Sequence, residues 1–159
     1  MQEDQLRELL GQVARGELTP HQGVGRLRHL PFEDLGFAQV DHHRILRQGQ
    51  PEVVYGQGKT VEQIKAIVEN LHERGSNVLV TRLDKDQAAV LQEQLSSAVY
   101  HAAARCLTLE TASPPEEGRG TILVVAAGNS DLPVASEAQV TGRFLGNQCE
   151  LICYVGVAG

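Results

Sequence analysis

The residues with the clearest chemical potential in this 159-residue sequence form a short run of small and polar types, Gly128-Asn129-Ser130-Asp131. The run follows an apolar, β-branched segment and precedes a helical pattern, so it is predicted to be a strand-to-helix turn. A helix N-terminus attracts phosphate through its free backbone N–H groups and partial positive charge. Gly128 would let a ligand approach the backbone, and Ser130 and Asp131 could bind ligand hydroxyls. Both residues are also common N-caps, so capping alone is the alternative.

Four polar or basic residues upstream could add to an anion site. Thr81 and Arg82 end an apolar strand, and an arginine at a strand's C-terminal edge can form a forked contact with phosphate or carboxylate. Lys59 lies at a predicted helix start, where its charge would favour an anion. Arg44 could join them. For Arg82 and Arg44 a solvated surface charge is the more frequent role, whereas for Lys59 a solvated charge and an anion ligand are weighted equally.

The run Gly58-Lys59-Thr60 follows a strand and opens a helix, which invites comparison with a P-loop. The P-loop pattern requires a glycine five positions before Gly58, and that position is Val53. The long phosphate-cradling loop is therefore missing, and a nucleoside triphosphate site of this type is not predicted.

The histidines and cysteines do not predict a metal centre. His42 and His43 are adjacent in the sequence, and adjacent strand residues face opposite ways, so they do not easily bind one ion. Cys149 and Cys153 share one face of a predicted strand without further ligands, and buried thiols are the better interpretation. The same interpretation applies to Cys106.

Apolar periodicity predicts the elements that position these residues. Predicted helices cover 6–13 with a stop at Gly16, a segment opened by Thr19 and Pro20, 60–74 with a stop at Gly75, 84–95 capped by Asp84, and 132–145. Predicted strands lie within 36–47 and at 52–55, 77–81, 106–109, 121–127 and 149–155. The candidate site residues 59, 81–82 and 128–131 therefore fall where strands end and helices begin.

These elements predict an α/β protein. Its parts are N-terminal helices (1–34), an α+β domain (35–111), a linker (112–119) with two prolines and two glutamates, and a β-α-β unit (120–159). The apolar strand 121–127 is typical of a parallel sheet buried on both faces, yet it has one neighbour in this unit. We therefore expect exposed apolar surface there and a tendency to self-associate.

Composition and charge argue against several classes of protein. The formal net charge is −6 and no Lys/Arg cluster is present, which argues against nucleic-acid binding. The N-terminus is charged and amphipathic, unlike a signal peptide, and no apolar stretch reaches the roughly 18 residues of a membrane span. Three cysteines, an odd number, suggest reduced thiols. We expect a soluble, cytoplasmic protein.

Two blocks of the sequence resemble a known family. Residues 126–135 and 151–159 resemble the start of the AIR carboxylase (PurE) domain, and most closely its LarB branch. Residues 40–44, 50–60 and 78–82 resemble the N-terminal domain of LarB proteins, which PurE lacks. The resemblance spans 36–159 in the correct order and implies a flavodoxin-like parallel-sheet domain from residue 120 onwards, incomplete at the C-terminus.

The resemblance also implies an activity. LarB proteins add CO2 or bicarbonate to the pyridinium ring of nicotinic acid adenine dinucleotide, then hydrolyse its phosphoanhydride and release AMP, in nickel-pincer cofactor biosynthesis. It assigns Gly128, Ser130 and Asp131 to the nucleotide phosphate. It implies a homo-oligomer without a tightly bound cofactor, and leaves open a divalent metal requirement.

Two departures from the family pattern matter. Asn129 stands where LarB proteins usually have threonine and PurE has serine. The family's His-Arg pair and cysteine nucleophile follow downstream of residue 159, so that role passes to none of the three cysteines, and we expect these 159 residues alone to lack carboxylase activity. The alternatives are an AIR carboxylase-type lyase or mutase of purine biosynthesis and a non-catalytic nucleotide-binding module.

Overall fold

The structure, a computed structural model, describes residues 3–27, 32–41, 50–113 and 118–154. Helices are α1 (Glu3–Ala14), α2 (Pro20–Leu27), α3 (Val61–Glu73), α4 (Lys85–Gln94) and α5 (Leu132–Phe144). Strands are β1 (Phe32–Asp34), β2 (Gln39–Asp41), β3 (Val53–Tyr55), β4 (Val78–Thr81), β5 (Val99–His101), β6 (Cys106–Leu109), β7 (Ile122–Ala126) and β8 (Cys149–Cys153). The α/β class predicted from the sequence is confirmed.

A mixed four-stranded sheet forms the centre of the N-terminal part, with strand order β3-β4-β6-β5. β3 runs parallel to β4, and β6 runs antiparallel to both β4 and β5. The sequence analysis missed β5, since its three residues Val-Tyr-His carry no apolar alternation that periodicity could detect. Its pairing with β6 makes it a strand.

Helices α3 and α4 cover one face of this sheet and form the main core. The two helices begin at matching capping boxes, in which Thr60 pairs with Gln63 and Asp84 pairs with Gln87. Their apolar faces bury Ile64, Ile67, Val68 and Leu71 from α3 and Ala88 and Leu91 from α4. The predicted helix bounds and the Asp84 cap are thus confirmed, and both helix N-termini lie at the edge where β3 and β4 end.

Helix α5 covers the opposite face of the same sheet. Phe144 of α5 is buried with Leu79, Ala104 and Cys106 in a second apolar cluster. This contact joins the β-α-β unit to the N-terminal sheet, so the two parts share a packed interface among the described residues. Sequence periodicity gave no indication of it.

The C-terminal unit consists of β7, α5 and β8, with β7 parallel to β8 as predicted. Leu123 and Val125 of β7 are 50% and 57% exposed, and Ile122 and Ile152 are exposed as well. The expected exposed apolar surface is confirmed for the described residues. Self-association through it stays a prediction.

Near the N-terminus, the predicted helices are present as α1 and α2. Gly16, at φ 75°, follows the end of α1, and Thr19 forms a reciprocal capping pair with Gln22 before α2. The predicted strand within 36–47 corresponds to β2, which pairs with β1 in an antiparallel hairpin. Residues 42–49, linker positions 114–117 and the end of the predicted strand 149–155 lie outside the described residues.

No helix in the described part of the chain is a candidate membrane span. Each of its helices is too short, or not apolar enough, to cross a bilayer.

Tight packing of α5 on β8 yields a stability prediction. A Cβ added at Gly142 would overlap Cys149 Sγ, whereas a Cβ at Gly120 would meet no atom within 4 Å. Gly142→Ala should lower the free energy of unfolding by about 1–3 kcal/mol through overpacking, despite the better helix propensity of alanine. Urea denaturation followed by circular dichroism measures this change.

Two further variants test whether the steric overlap with Cys149 is the cause of the lost stability. Gly120→Ala should leave the denaturation midpoint unchanged. Adding Cys149→Ala to Gly142→Ala removes the overlapping sulfur and should recover part of the lost stability. A double variant no more stable than Gly142→Ala alone would contradict the steric explanation.

Candidate functional site

The predicted strand-to-helix turn lies between β7 and α5. One turn of 3-10 helix, Asn129–Asp131, precedes Leu132, the first residue of α5. The Gly128 N–H donates to Asp131 Oδ2 at 3.3 Å, and Ser130 Oγ donates to Asp131 Oδ1 at 3.4 Å. Asp131 therefore stabilises the turn by accepting hydrogen bonds from Gly128 and Ser130.

Gly128 is not required by the packing of the described residues. Its backbone is extended, with φ −136° and ψ 169°, a conformation that any residue adopts. An added Cβ would meet only Ser130 Oγ, at an ordinary 3.9 Å. Ser130 and Asp131 are both exposed. The turn thus presents an open backbone position, a hydroxyl and a carboxylate to solvent at the start of a 13-residue helix.

Lys59 lies over the C-terminal end of β3. Its Nζ donates to the Tyr55 carbonyl at 2.7 Å, and its backbone N–H donates to the Gly56 carbonyl at 3.0 Å. An ammonium carries three donors, and the bond to Tyr55 uses one of them. The Gln87 side chain donates to the Lys59 carbonyl at 2.9 Å, which joins the start of α4 to the start of α3.

Thr81 and Gly56 bring the ends of β4 and β3 together. The Gly56 N–H donates to the Thr81 carbonyl at 2.8 Å. A Cβ at Gly56 would stand 2.9 Å from that carbonyl oxygen, so the close approach requires glycine. Of the predicted anion ligands, Lys59 and Thr81 therefore share one edge of the sheet.

Arg82 points from this edge toward α5. Its Nε lies 2.7 Å from Glu137 Oε2, and the two side chains are 39% and 21% exposed. Arg82 has a left-handed backbone with φ 56°, an uncommon conformation for a residue with a side chain. The sequence analysis identified Arg82 and missed Glu137, because the two lie 55 positions apart and no spacing connects them.

Cys106 is buried close to this ion pair. The thiol is fully buried, and its Sγ donates to the Ala104 carbonyl at 3.3 Å. Burial, reinforced by the charge of Glu137 and opposed by that of Arg82, raises the pKa of Cys106 to about 12. A thiol that stays protonated is a poor nucleophile, which agrees with the predicted structural role. Cys149 and Cys153 are free thiols as well.

His101 is a further partly buried titratable group, opposite Cys106 in the sheet. Its Nε2 lies 3.0 Å from Thr108 Oγ1. Burial lowers the pKa of His101, with Glu110 raising it and Arg143 lowering it further. No three His, Cys, Asp or Glu side chains converge as metal ligands within the described ranges.

The candidate residues form two groups, one at an edge of the sheet and one at the start of α5. Lys59, Thr81 and Arg82 lie at the β3–β4 edge, while Gly128, Ser130 and Asp131 lie at the start of α5. Among the described residues, the contact between Arg82 and Glu137 of α5 is the ion pair that links these groups. Arg44, His42 and His43 lie outside the described residues.

Two comparisons with known proteins find matches to this chain. Residues 32–111 match the LarB/PurE-like N-terminal domain. An uncharacterized protein of Methanocaldococcus jannaschii is 26% identical over 160 residues, which cover 97% of this chain and 62% of that protein. The chain therefore spans less than two thirds of the length of this curated relative.

Burial of Cys106 predicts its reactivity. In a variant with Cys149→Ser and Cys153→Ser, the remaining thiol should react with iodoacetamide at pH 8 at least 100-fold more slowly than in 8 M urea, because the folded protein keeps it buried and protonated. Mass spectrometry of timed samples measures the alkylated fraction. Comparable rates in the folded and unfolded protein would contradict the buried position.

Proposed function

The chain belongs to the LarB family, and from this membership we propose that the protein is a nucleotide carboxylase-hydrolase acting on nicotinic acid adenine dinucleotide. In this proposal CO2 or bicarbonate is the co-substrate, the pyridinium ring is carboxylated, and hydrolysis of the phosphoanhydride releases AMP. The product would enter nickel-pincer cofactor biosynthesis. The match of residues 32–111 to the LarB/PurE-like N-terminal domain supports the AIR carboxylase-like superfamily.

The observation that carries the proposal is the open turn at the start of α5. The chain's own packing does not require glycine at 128, whereas a phosphate that approaches the backbone N–H would. Asp131 now accepts from that N–H. An ionised carboxylate only accepts hydrogen bonds, so with the nucleotide bound Asp131 would accept from a ribose hydroxyl and leave the Gly128 N–H to the phosphate.

The β3–β4 edge would supply positive charge to the same ligand. Lys59 and Arg82 are cations at this edge, and Thr81 is the last residue of β4. A dinucleotide carries two linked phosphates, so cations at one edge and backbone N–H groups at α5 could share them. Arg44 is proposed as a further cation of this site.

The proposal also covers the cofactor and the oligomeric state, on the basis of the family and of the exposed apolar surface of β7 and β8. No tightly bound cofactor is proposed, and the need for a divalent ion stays open. We propose a homo-oligomer, since the exposed apolar side chains of β7 and β8 need a cover.

Isothermal titration of the chain with nicotinic acid adenine dinucleotide tests the proposal. Ser130→Ala should weaken binding about tenfold, because a hydrogen bond to a charged group contributes about 1.5 kcal/mol. Gly128→Ala should weaken binding at least as much, because its methyl group blocks the phosphate. Gly120→Ala, also in open space, is the matched control and should bind like the wild type.

Two comparison ligands separate the alternatives. NAD shares the dinucleotide but carries a carboxamide, and it should bind more weakly than the acid. An aminoimidazole ribonucleotide that bound more tightly than either would favour an AIR carboxylase-type activity in purine biosynthesis. Failure of all three to bind, or equal affinity in the Gly128→Ala variant, would contradict the proposed role of the turn.

A further inference from the structure

A polar seam, formed by Thr81, Arg82 and Glu137, lies between the central sheet and α5. Thr81 shares the α5-facing side of β4 with Leu79, since alternate strand residues face the same way. Only 7% of Thr81 is exposed. The seam therefore holds a largely buried threonine beside the Arg82–Glu137 pair.

The backbone conformation of Arg82 is uncommon for a residue with a side chain. A residue that leaves a strand with φ 56° would ordinarily be glycine or asparagine, which adopt the left-handed region at little cost. Arginine gains no advantage from this turn itself. Its guanidinium is instead directed at α5, where Nε lies 2.7 Å from Glu137 Oε2.

Glu137 does not exhaust the binding capacity of Arg82. A guanidinium carries five N–H donors, and one carboxylate uses at most two of them in a forked pair. Phosphate presents more acceptor oxygens and more negative charge than a carboxylate does. A phosphate that entered the seam could therefore compete for Arg82 and also accept from the Thr81 hydroxyl.

We propose that Glu137 is an internal competitor, whose carboxylate occupies Arg82 until a phosphate-bearing ligand displaces it. This inference rests on the proposed function insofar as Arg82 binds phosphate there. Displacement breaks the ion pair that ties α5 to the end of β4. Because α5 begins at the Gly128 turn, phosphate bound at Arg82 and nucleotide bound at the turn are energetically coupled, and the coupling is reciprocal.

Titration of the whole chain with inorganic pyrophosphate tests the competition. Glu137→Gln leaves a neutral side chain of the same shape, and it should tighten pyrophosphate binding about fivefold, the effect of losing a partly exposed competing ion pair. Glu69→Gln is the matched control. It removes the same charge from α3, where Glu69 pairs with Lys65 at 3.7 Å, and should leave the affinity unchanged.

The gain must depend on Arg82. In the double variant Arg82→Gln with Glu137→Gln, the tightening should disappear. Glu137→Asp, which withdraws the carboxylate by one methylene, should also tighten binding and serves if Glu137→Gln proves unstable by circular dichroism. Unchanged or weaker binding by both single variants, a gain that persists without Arg82, or no pyrophosphate binding by any variant would overturn the proposal.

Failure of the proposed competition at Arg82 and failure of the proposed function give different results. Pyrophosphate binding that tightens in Glu137→Gln, with no binding of nicotinic acid adenine dinucleotide, would support the competition and reject the substrate. Dinucleotide binding that requires Gly128 and is unaffected by Glu137→Gln would support the function and reject the competition.

Discussion

Burial of Phe144 against the central sheet is the contact on which the arrangement of the candidate site depends. The sheet has two apolar faces, and α3 and α4 cover one of them. Phe144 of α5 is buried with Leu79, Ala104 and Cys106 on the other. Removing such a side chain from water typically contributes about 1.5–3 kcal/mol. This apolar contact brings the helix that starts at the Gly128 turn onto the sheet whose edge carries Lys59 and Arg82.

The polar contacts at this interface follow from that burial. Once α5 lies on the sheet, Glu137 is close enough to Arg82 for an ion pair at 2.7 Å. A partly exposed pair of this kind contributes about 1 kcal/mol or less, so it orients the side chains more than it holds the helix in place. The same burial removes Cys106 from solvent and keeps its thiol protonated.

Local sequence patterns predicted the positions of the elements that carry the candidate residues. The turn between β7 and α5, the cap at Asp84 and the position of Thr81 at the end of β4 all depend on neighbours within a few residues. Glu137 could not be found in this way, because its partner is distant in the chain and a lone glutamate on a helix normally indicates a solvated face. The structure also leaves two interpretations of the turn open, because the hydrogen bond from the Gly128 N–H to Asp131 fits both helix capping and ligand binding.

The sequence by itself determined the α/β class, most helix and strand positions, the buried thiol at Cys106 and the resemblance to the LarB family. These features depend on short-range periodicity, capping chemistry and local motifs, which a linear sequence displays directly. The tertiary structure alone decided the order of strands in the mixed sheet, the inclusion of β5, the docking of α5 on the second face and the partner of Arg82. Those features arise from contacts between distant residues, where burial of apolar surface selects one packing among many that the same local patterns would allow.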